Sequence, residues 1–153
     1  MIYGNILKHI ATLGPLGYVP FAPGTFGSIA GALFVFFVPL DQSAQFISVI
    51  AGTVLGSIAA TTAEKELKQK DSGKIIVDEF VGMLVSCFLL PRRSSVLIAA
   101  FLLFRFFDIL KPLMIRRMEK MFSKGAGVMA DDILAGIYTN ALIQAILYFK
   151  VGT

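Results

Sequence analysis

The chain has 153 residues, a length that fits a single domain spanning 1–153. Apolar residues make up 56% and charged residues 16%, against about 45–50% and about 25% in ordinary soluble domains, and mean hydropathy is +0.78. So few charges cannot cover a small soluble domain, which points to a bilayer protein, with a very apolar soluble oligomer as the competing explanation. The net charge of +4 comes with no basic run interleaved with aromatics. It argues for anionic lipid beside the membrane rather than for nucleic acid.

In chain order, residues 1–27 read as a polar segment rich in Gly and Pro. Gly4, Gly14, Pro15, Gly17 and Pro20 interrupt it, so it lacks the unbroken apolar core of a signal peptide. Its last part, Pro23 to Ser28, reads as a Gly-rich loop running into a helix, where free backbone N–H groups and the hydroxyls of Thr25 and Ser28 suit an anion. An ordinary turn with an N-cap explains the same residues. Five apolar stretches are Ser28 to Leu40, Gln45 to Ala63, Phe80 to Leu90, Ser95 to Phe107 and Ile133 to Phe149. They lack alternation and so predict helices. The second and fifth reach the length of a membrane span, about 17–25 residues. The others are short enough to be half-spans, tilted helices or helices extended by charged ends facing a cavity. The expected fold is an all-α, small polytopic membrane helical bundle of four to five apolar helices with cytoplasmic polar loops. The two further polar segments are Glu64 to Glu79 and Arg105 to Asp132.

If all five stretches cross, eleven of the fourteen basic residues share one side: Lys8, Lys65, Lys68, Lys70, Lys74, Arg105, Lys111, Arg116, Arg117, Lys120 and Lys124. Positive loops stay inside, which makes that side cytoplasmic. Nine of the ten acids gather there too, all but Asp41. Acids do not set topology, so their gathering is separate information and suggests a site.

Asp78 and Glu79 stand where a polar segment enters an apolar stretch, and Asp131 and Asp132 stand at the start of the last one. Each pair alone reads as helix-capping or first-turn acids. Two pairs on one side suit a hard cation such as Mg²⁺, which takes carboxylates, water and substrate phosphate. Arg105, Asp108 and Lys111 recur at helical spacing in an apolar run. They read either as a phosphate clamp or as an Arg105–Asp108 ion pair with a snorkelling Lys111. Gly125 to Met129 read as a loop that can approach a ligand or gate it, or as a plain connector.

Other chemistries lack their residues. His9 is the only histidine, and Cys87 the only cysteine. Cys87 and Arg93 have the spacing of a cysteine-phosphatase loop, but Phe88-Leu89-Leu90-Pro91-Arg92 between them has no small residue, so Cys87 reads as a helix packing residue. No Asp-x-Asp occurs.

Taken together, Pro-Gly-Thr-x-Gly-Ser at 23–28, Asp-Glu-Phe-Val-Gly-Met at 78–83, Phe-Arg-x-x-Asp-x-x-Lys-Pro at 104–112 and Gly-x-Gly-Val-Met-x-Asp-Asp-Ile-x-Ala-Gly at 125–136 resemble the phosphatidylglycerophosphatase A family. The resemblance implies a Mg²⁺-dependent phosphomonoesterase of the bacterial inner membrane, facing the cytoplasm, that converts phosphatidylglycerophosphate to phosphatidylglycerol and phosphate. It implies Asp78, Glu79, Asp131 and Asp132 as metal ligands or base, Arg105 and Lys111 as phosphate binders, Asp108 in either group, and Thr25 and Ser28 as loop contacts. Its partners are an anionic phospholipid substrate and the membrane; oligomeric state stays open. With no good covalent nucleophile in view, direct attack by water is expected, with Thr25 or an Asp as the alternative nucleophile. Competing readings are a small transporter or channel-like protein, a phosphatidyltransferase, whose longer Asp-rich helix is not found here, and a phosphatase for another lipid phosphate.

Overall fold

The computed structural model describes residues 2–70, 72–112, 115 and 125–151. Asp71, Arg116, Arg117, Glu119, Lys120 and Lys124, which enter the charge count above, lie outside the described residues. Six α-helices are described: α1 (Ile2–Ala11), α2 (Pro23–Phe37), α3 (Gln42–Leu67), α4 (Val77–Ser86), α5 (Ser94–Leu110) and α6 (Gly125–Val151), with a 3₁₀ turn at Leu16–Tyr18. The all-α expectation holds, and the five apolar stretches lie largely within α2 to α6. The expected count of four to five helices is low by α1.

The N-terminal segment is where composition misled. Ile2–Ala11 is helical because Leu7 and Ala11, four apart, pack on the Ala59, Ala60 and Ala63 ridge of α3. Its other face exposes Tyr3, Ile6 and Ile10. Helix α2 likewise starts earlier than expected, at Pro23, with Ala22 as a left-handed N-cap at φ 45°. Pro at the first helical position gives up an N–H that would have no intrahelical partner. Pro23 to Ser28 is therefore the first turn and a half of a helix and not a loop.

Helices α3 and α6 have 26 and 27 residues, about 40 Å each at 1.5 Å per residue, enough to cross a hydrocarbon core of about 30 Å. Only 22% and 28% of their most apolar windows is buried, so most of the apolar surface of each helix faces outward from the bundle. Phe46, Ile50, Val54 and Ile58 on α3, and Ile137, Leu142 and Ile146 on α6, face outward.

Helix α4 is the hub. It has ten residues, and all but Glu79 and Phe80 are buried. It touches each of the other five helices. A helix too short to span is stable there because protein surrounds it and its C-terminal carbonyls find partners. At its C-terminal end, Asn140 of α6 donates to the carbonyls of Ser86 (3.1 Å) and Phe88 (2.7 Å). At the same end of the bundle Arg92 donates to the Val35 carbonyl at 3.0 and 2.7 Å and also to that of Val38, capping α2 where its dipole is negative. Cys87 is buried in the core beside Met83, Leu90 and Phe104, as its packing role predicts.

Candidate active site

Ionic side chains from three helices meet at the end of the bundle where α2, α4 and α6 begin and α5 ends. Asp78 and Glu79 occupy the first turn of α4, whose N-cap Ile76 makes no side-chain cap bond. Asp131 and Asp132 lie two turns inside α6, not at its start. Capping therefore does not account for the second pair. Gly125 to Met129, expected as a loop, is helix, and the Gly125 N–H donates to Thr61 Oγ1 of α3 at 3.1 Å.

Two successive residues on a helix point about 100° apart, and the 131–132 pair divides accordingly. Asp132 turns toward α4, and one carboxylate oxygen each from Asp78, Glu79 and Asp132 lies within 4.8 Å of the others. Asp131 instead pairs with Lys111. Lys111 ends α5 in the left-handed region, at φ 44°, with its N–H donating to the Phe107 carbonyl at 2.9 Å. That backbone is uncommon for a non-glycine residue; it turns the chain off α5 at the residue whose ammonium meets Asp131.

Arg105, one turn and a half earlier on α5, donates to Asp108 Oδ2 at 2.5 Å and stands 3.9 Å from Glu79 Oε1. The Arg105–Asp108 ion pair allowed by the spacing is thus present, and Arg105 also reaches the carboxylate group. A guanidinium has five N–H donors in a planar fork, so it retains capacity for a phosphoryl oxygen.

The acids are costly where they stand. Asp78, Asp131 and Asp132 are 9%, 5% and 3% exposed. Asp78 Oδ1, Glu79 Oε2, Asp131 Oδ1 and Asp132 Oδ2 are buried without a hydrogen-bond partner. Burial pushes the Asp78 carboxyl well above the ordinary carboxylate range, and the charge of Glu79 beside it adds to the rise. Burial raises Glu79 as well, partly offset by its bond to Asp78 and by Arg105. An unsatisfied buried carboxylate oxygen is expensive, and three acids this close repel one another. A divalent cation relieves both costs at once. An all-oxygen donor set suits a hard ion such as Mg²⁺, so Asp78, Glu79 and Asp132 fit a metal centre.

Close helix packing brings the acids together. A Cβ on Gly82 of α4 would lie 2.9 Å from the Asp132 carbonyl, and one on Gly136 of α6 would lie 2.6 Å from the Gly82 carbonyl. On α2, a Cβ on Gly31 would lie 2.7 Å from the Phe80 carbonyl, and one on Gly24 would strike the Glu79 carboxylate. Sequence assigned Gly82 and Gly136 no role, and Gly24 only a place in the Gly-rich segment at 23–28. The signal that finds such contacts is the small-x-x-x-small spacing of Gly27–Gly31 and Gly82–Ser86.

Thr25 is half-buried, and its N–H donates to the Ala22 carbonyl at 2.9 Å. Ser28 is fully buried, and its hydroxyl donates to the Gly24 carbonyl at 3.0 Å. Of the nine residues singled out from sequence, the structure links Asp78, Glu79, Asp132, Arg105 and Asp108 into one cluster, sets the Lys111–Asp131 pair beside it, and puts Thr25 and Ser28 on the helix that covers Glu79.

Comparison with known proteins gives a consistent picture. A family model described as phosphatidylglycerophosphatase A matches residues 9–147. The chain is 35% identical over 163 residues to a Haemophilus influenzae protein named phosphatidylglycerophosphatase A, covering 99% of this chain and 100% of the relative. It is 34% identical over 144 residues to an Escherichia coli K12 protein of the same name, covering 92% and 81%. It is 38% identical over 144 residues to a Bacteroides thetaiotaomicron protein named putative phosphatidylinositol-3-phosphatase, covering 89% of each. No solved structure matches the chain significantly.

Proposed function

The chain belongs to the phosphatidylglycerophosphatase A family of lipid phosphatases, and from that premise we propose that it hydrolyses phosphatidylglycerophosphate to phosphatidylglycerol and inorganic phosphate with Mg²⁺ as cofactor. The observation that carries the reading is the set of buried, unsatisfied carboxylate oxygens of Asp78, Glu79 and Asp132, with Arg105 against them and the Lys111–Asp131 pair beside them.

Asp78, Glu79 and Asp132 hold the metal in this reading. Mg²⁺ bound there supplies charge that polarises the phosphoryl group and acidifies water. Arg105 and Lys111 bind the phosphoryl oxygens and stabilise the charge that spreads over them as the bond to glycerol breaks. Asp108 and Asp131 position these two cations by pairing with them. Glu79 or Asp132 accepts the proton of the attacking water. The water oxygen bonds to phosphorus, the phosphorus–glycerol oxygen bond breaks, and the glycerol oxygen leaves with the proton that the carboxylate took from water. Thr25 and Ser28 sit at the N-terminal end of α2, where the helix dipole favours the phosphate or glycerol end of the substrate.

Helices α3 and α6 cross the bacterial inner membrane, with the remaining helices packed between and beside them as one domain. The site lies at the cytoplasmic face. Lys65 and Lys68 at the end of α3, with Lys74, Arg105 and Lys111, stand on the site's side, while Arg92 and Arg93 stand on the other.

Phosphate release from purified protein in detergent tests this, comparing phosphatidylglycerophosphate, phosphatidic acid and phosphatidylinositol 3-phosphate, each with Mg²⁺ and with a chelator. Turnover of the first that is fastest and abolished by the chelator supports the reading. Preference for the inositol lipid would favour the activity for which the Bacteroides relative is named. No turnover of any lipid phosphate would sink both.

A further inference from the structure

We propose that the apolar groove between α2 and α5 holds one acyl chain of the lipid phosphate while its headgroup occupies the carboxylate and Arg105 site. This rests on the reading of the substrate as a membrane lipid phosphate. It adds which surface of the bundle recognises the chain.

The groove has a volume of about 270 Å³ and is walled by Ile29, Leu33 and Phe36 of α2 and by Leu97, Ile98 and Phe101 of α5. No charged side chain lines it. It runs straight out of the site on both walls. On α2, Ile29 and Leu33 lie one and two turns beyond Thr25, stacked along the same face. On α5, Phe101 and Leu97 lie one and two turns before Arg105, again on one face. A chain whose phosphate meets Arg105 therefore enters the groove with no turn.

The depth fits. Thr25 and Phe36 stand eleven residues apart on the helix, about 16 Å, half of a hydrocarbon core about 30 Å thick. That is one leaflet, the depth a single acyl chain occupies. The walls are open to the bilayer, since Leu33, Phe36 and Ile98 are exposed, so a lipid can enter sideways without leaving the membrane.

The crevice between α3 and α6, lined by Met129, Ile133 and Ile137 with a volume of about 290 Å³, does not share this continuity. Ile133 points about 100° away from Asp132 on the helix, and Asp132 faces α4 with Asp78 and Glu79.

The test compares kcat/KM for a long-chain lipid phosphate and its dihexanoyl analogue. Leu33→Trp and, as a second filling variant, Ile98→Trp lower the long-to-short ratio about tenfold, the size of effect a filled apolar pocket gives. Leu55→Trp, on the exposed face of α3, is the comparison and keeps the ratio. In parallel, full-length protein in nanodiscs is photolabelled by phosphatidylglycerophosphate or phosphatidylcholine carrying a diazirine at the acyl terminus. Labelling of 29–36 and 97–101 enriched about fivefold for the lipid phosphate, above the general labelling expected of any lipid-facing helix, supports the groove. An unchanged ratio in both filling variants, or enrichment on α3 and α6 instead, overturns it. Failure of the functional reading has a different signature: absent phosphate release from wild-type protein, whichever helices are labelled.

Discussion

Gly24 of α2 lies against the carboxylate of Glu79 on α4, so closely that a Cβ at position 24 would stand 2.8 Å from Glu79 Cδ and 3.4 Å from Arg105 Nη1. The neighbour that must move is a carboxylate proposed to hold metal, so Gly24→Ala disturbs chemistry more than folding. Phosphate release should fall about 10–100-fold, the cost of misplacing a reacting group by about 1 Å. The melting temperature should change little, and equal losses of activity and melting temperature would contradict this account.

Replacing a proposed metal ligand by its amide removes charge without removing volume. Asp132→Asn and Asp78→Asn should each lower kcat by about 10²–10³, as expected for loss of a group acting on transition-state charge. A ligand at 100 times its Kd stabilises by about 2.7 kcal/mol, so Mg²⁺ should raise the melting temperature of wild-type protein and not of either variant. Asp41→Asn, which removes only the charge of the exposed N-cap of α3, should keep the Mg²⁺ shift.

The metal-free protein should show the opposite stability trend. Asp78 has a folded pKa raised by burial, above an unfolded value of about 3.9. It therefore binds more proton folded than unfolded across that window, and stability falls as pH rises from about 4 toward the raised value. In chelator at pH 7, Asp78→Asn should melt higher than wild type, by about 2–4 °C per kcal/mol relieved. The same variant should be the slower enzyme with Mg²⁺, a trade between stability and function. A lower melting point in chelator would show that the charge is not a cost.

Arg105→Lys keeps the charge and loses the planar fork that serves Asp108 and Glu79 together and is proposed to serve phosphate as well. Steady-state kinetics should show kcat down about 10-fold or more, with a further fall in Arg105→Ala, since charge-assisted bonds to phosphate are worth about 1.5–3 kcal/mol each. Equal rates in Arg105→Lys and wild type would make the residue a point charge only.

Gly136→Ala tests the packing that sets the site. Its Cβ would fall 2.6 Å from the Gly82 carbonyl, a backbone atom that cannot swing aside. Overpacking of this kind costs about 1–3 kcal/mol. Chemical or thermal unfolding should show that loss, and activity should fall with it because α4 and α6 carry Asp78 and Asp132.

Sequence by itself determined the class of protein and the inventory of its chemistry. Apolar stretches without alternation become helices whatever packs on them, so the bodies of α2 to α6 were legible, although α6 begins at Gly125 and not at Ile133, and length alone marked α3 and α6 as the long pair. Four polar motifs in order were enough to name the family. Helix α1 and the start of α2 were not legible, because Gly and Pro weigh against helix locally while packing on α3 and α4 overrides them. The division of labour between Asp131 and Asp132 was closed to sequence as well, since two adjacent acids look alike until neighbouring helices give each a direction. Only the tertiary structure decided that Asp132 joins Asp78 and Glu79 while Asp131 meets Lys111. That choice rests on glycines that let backbones approach within a side chain's width, a contact between segments more than fifty residues apart, which no local pattern encodes.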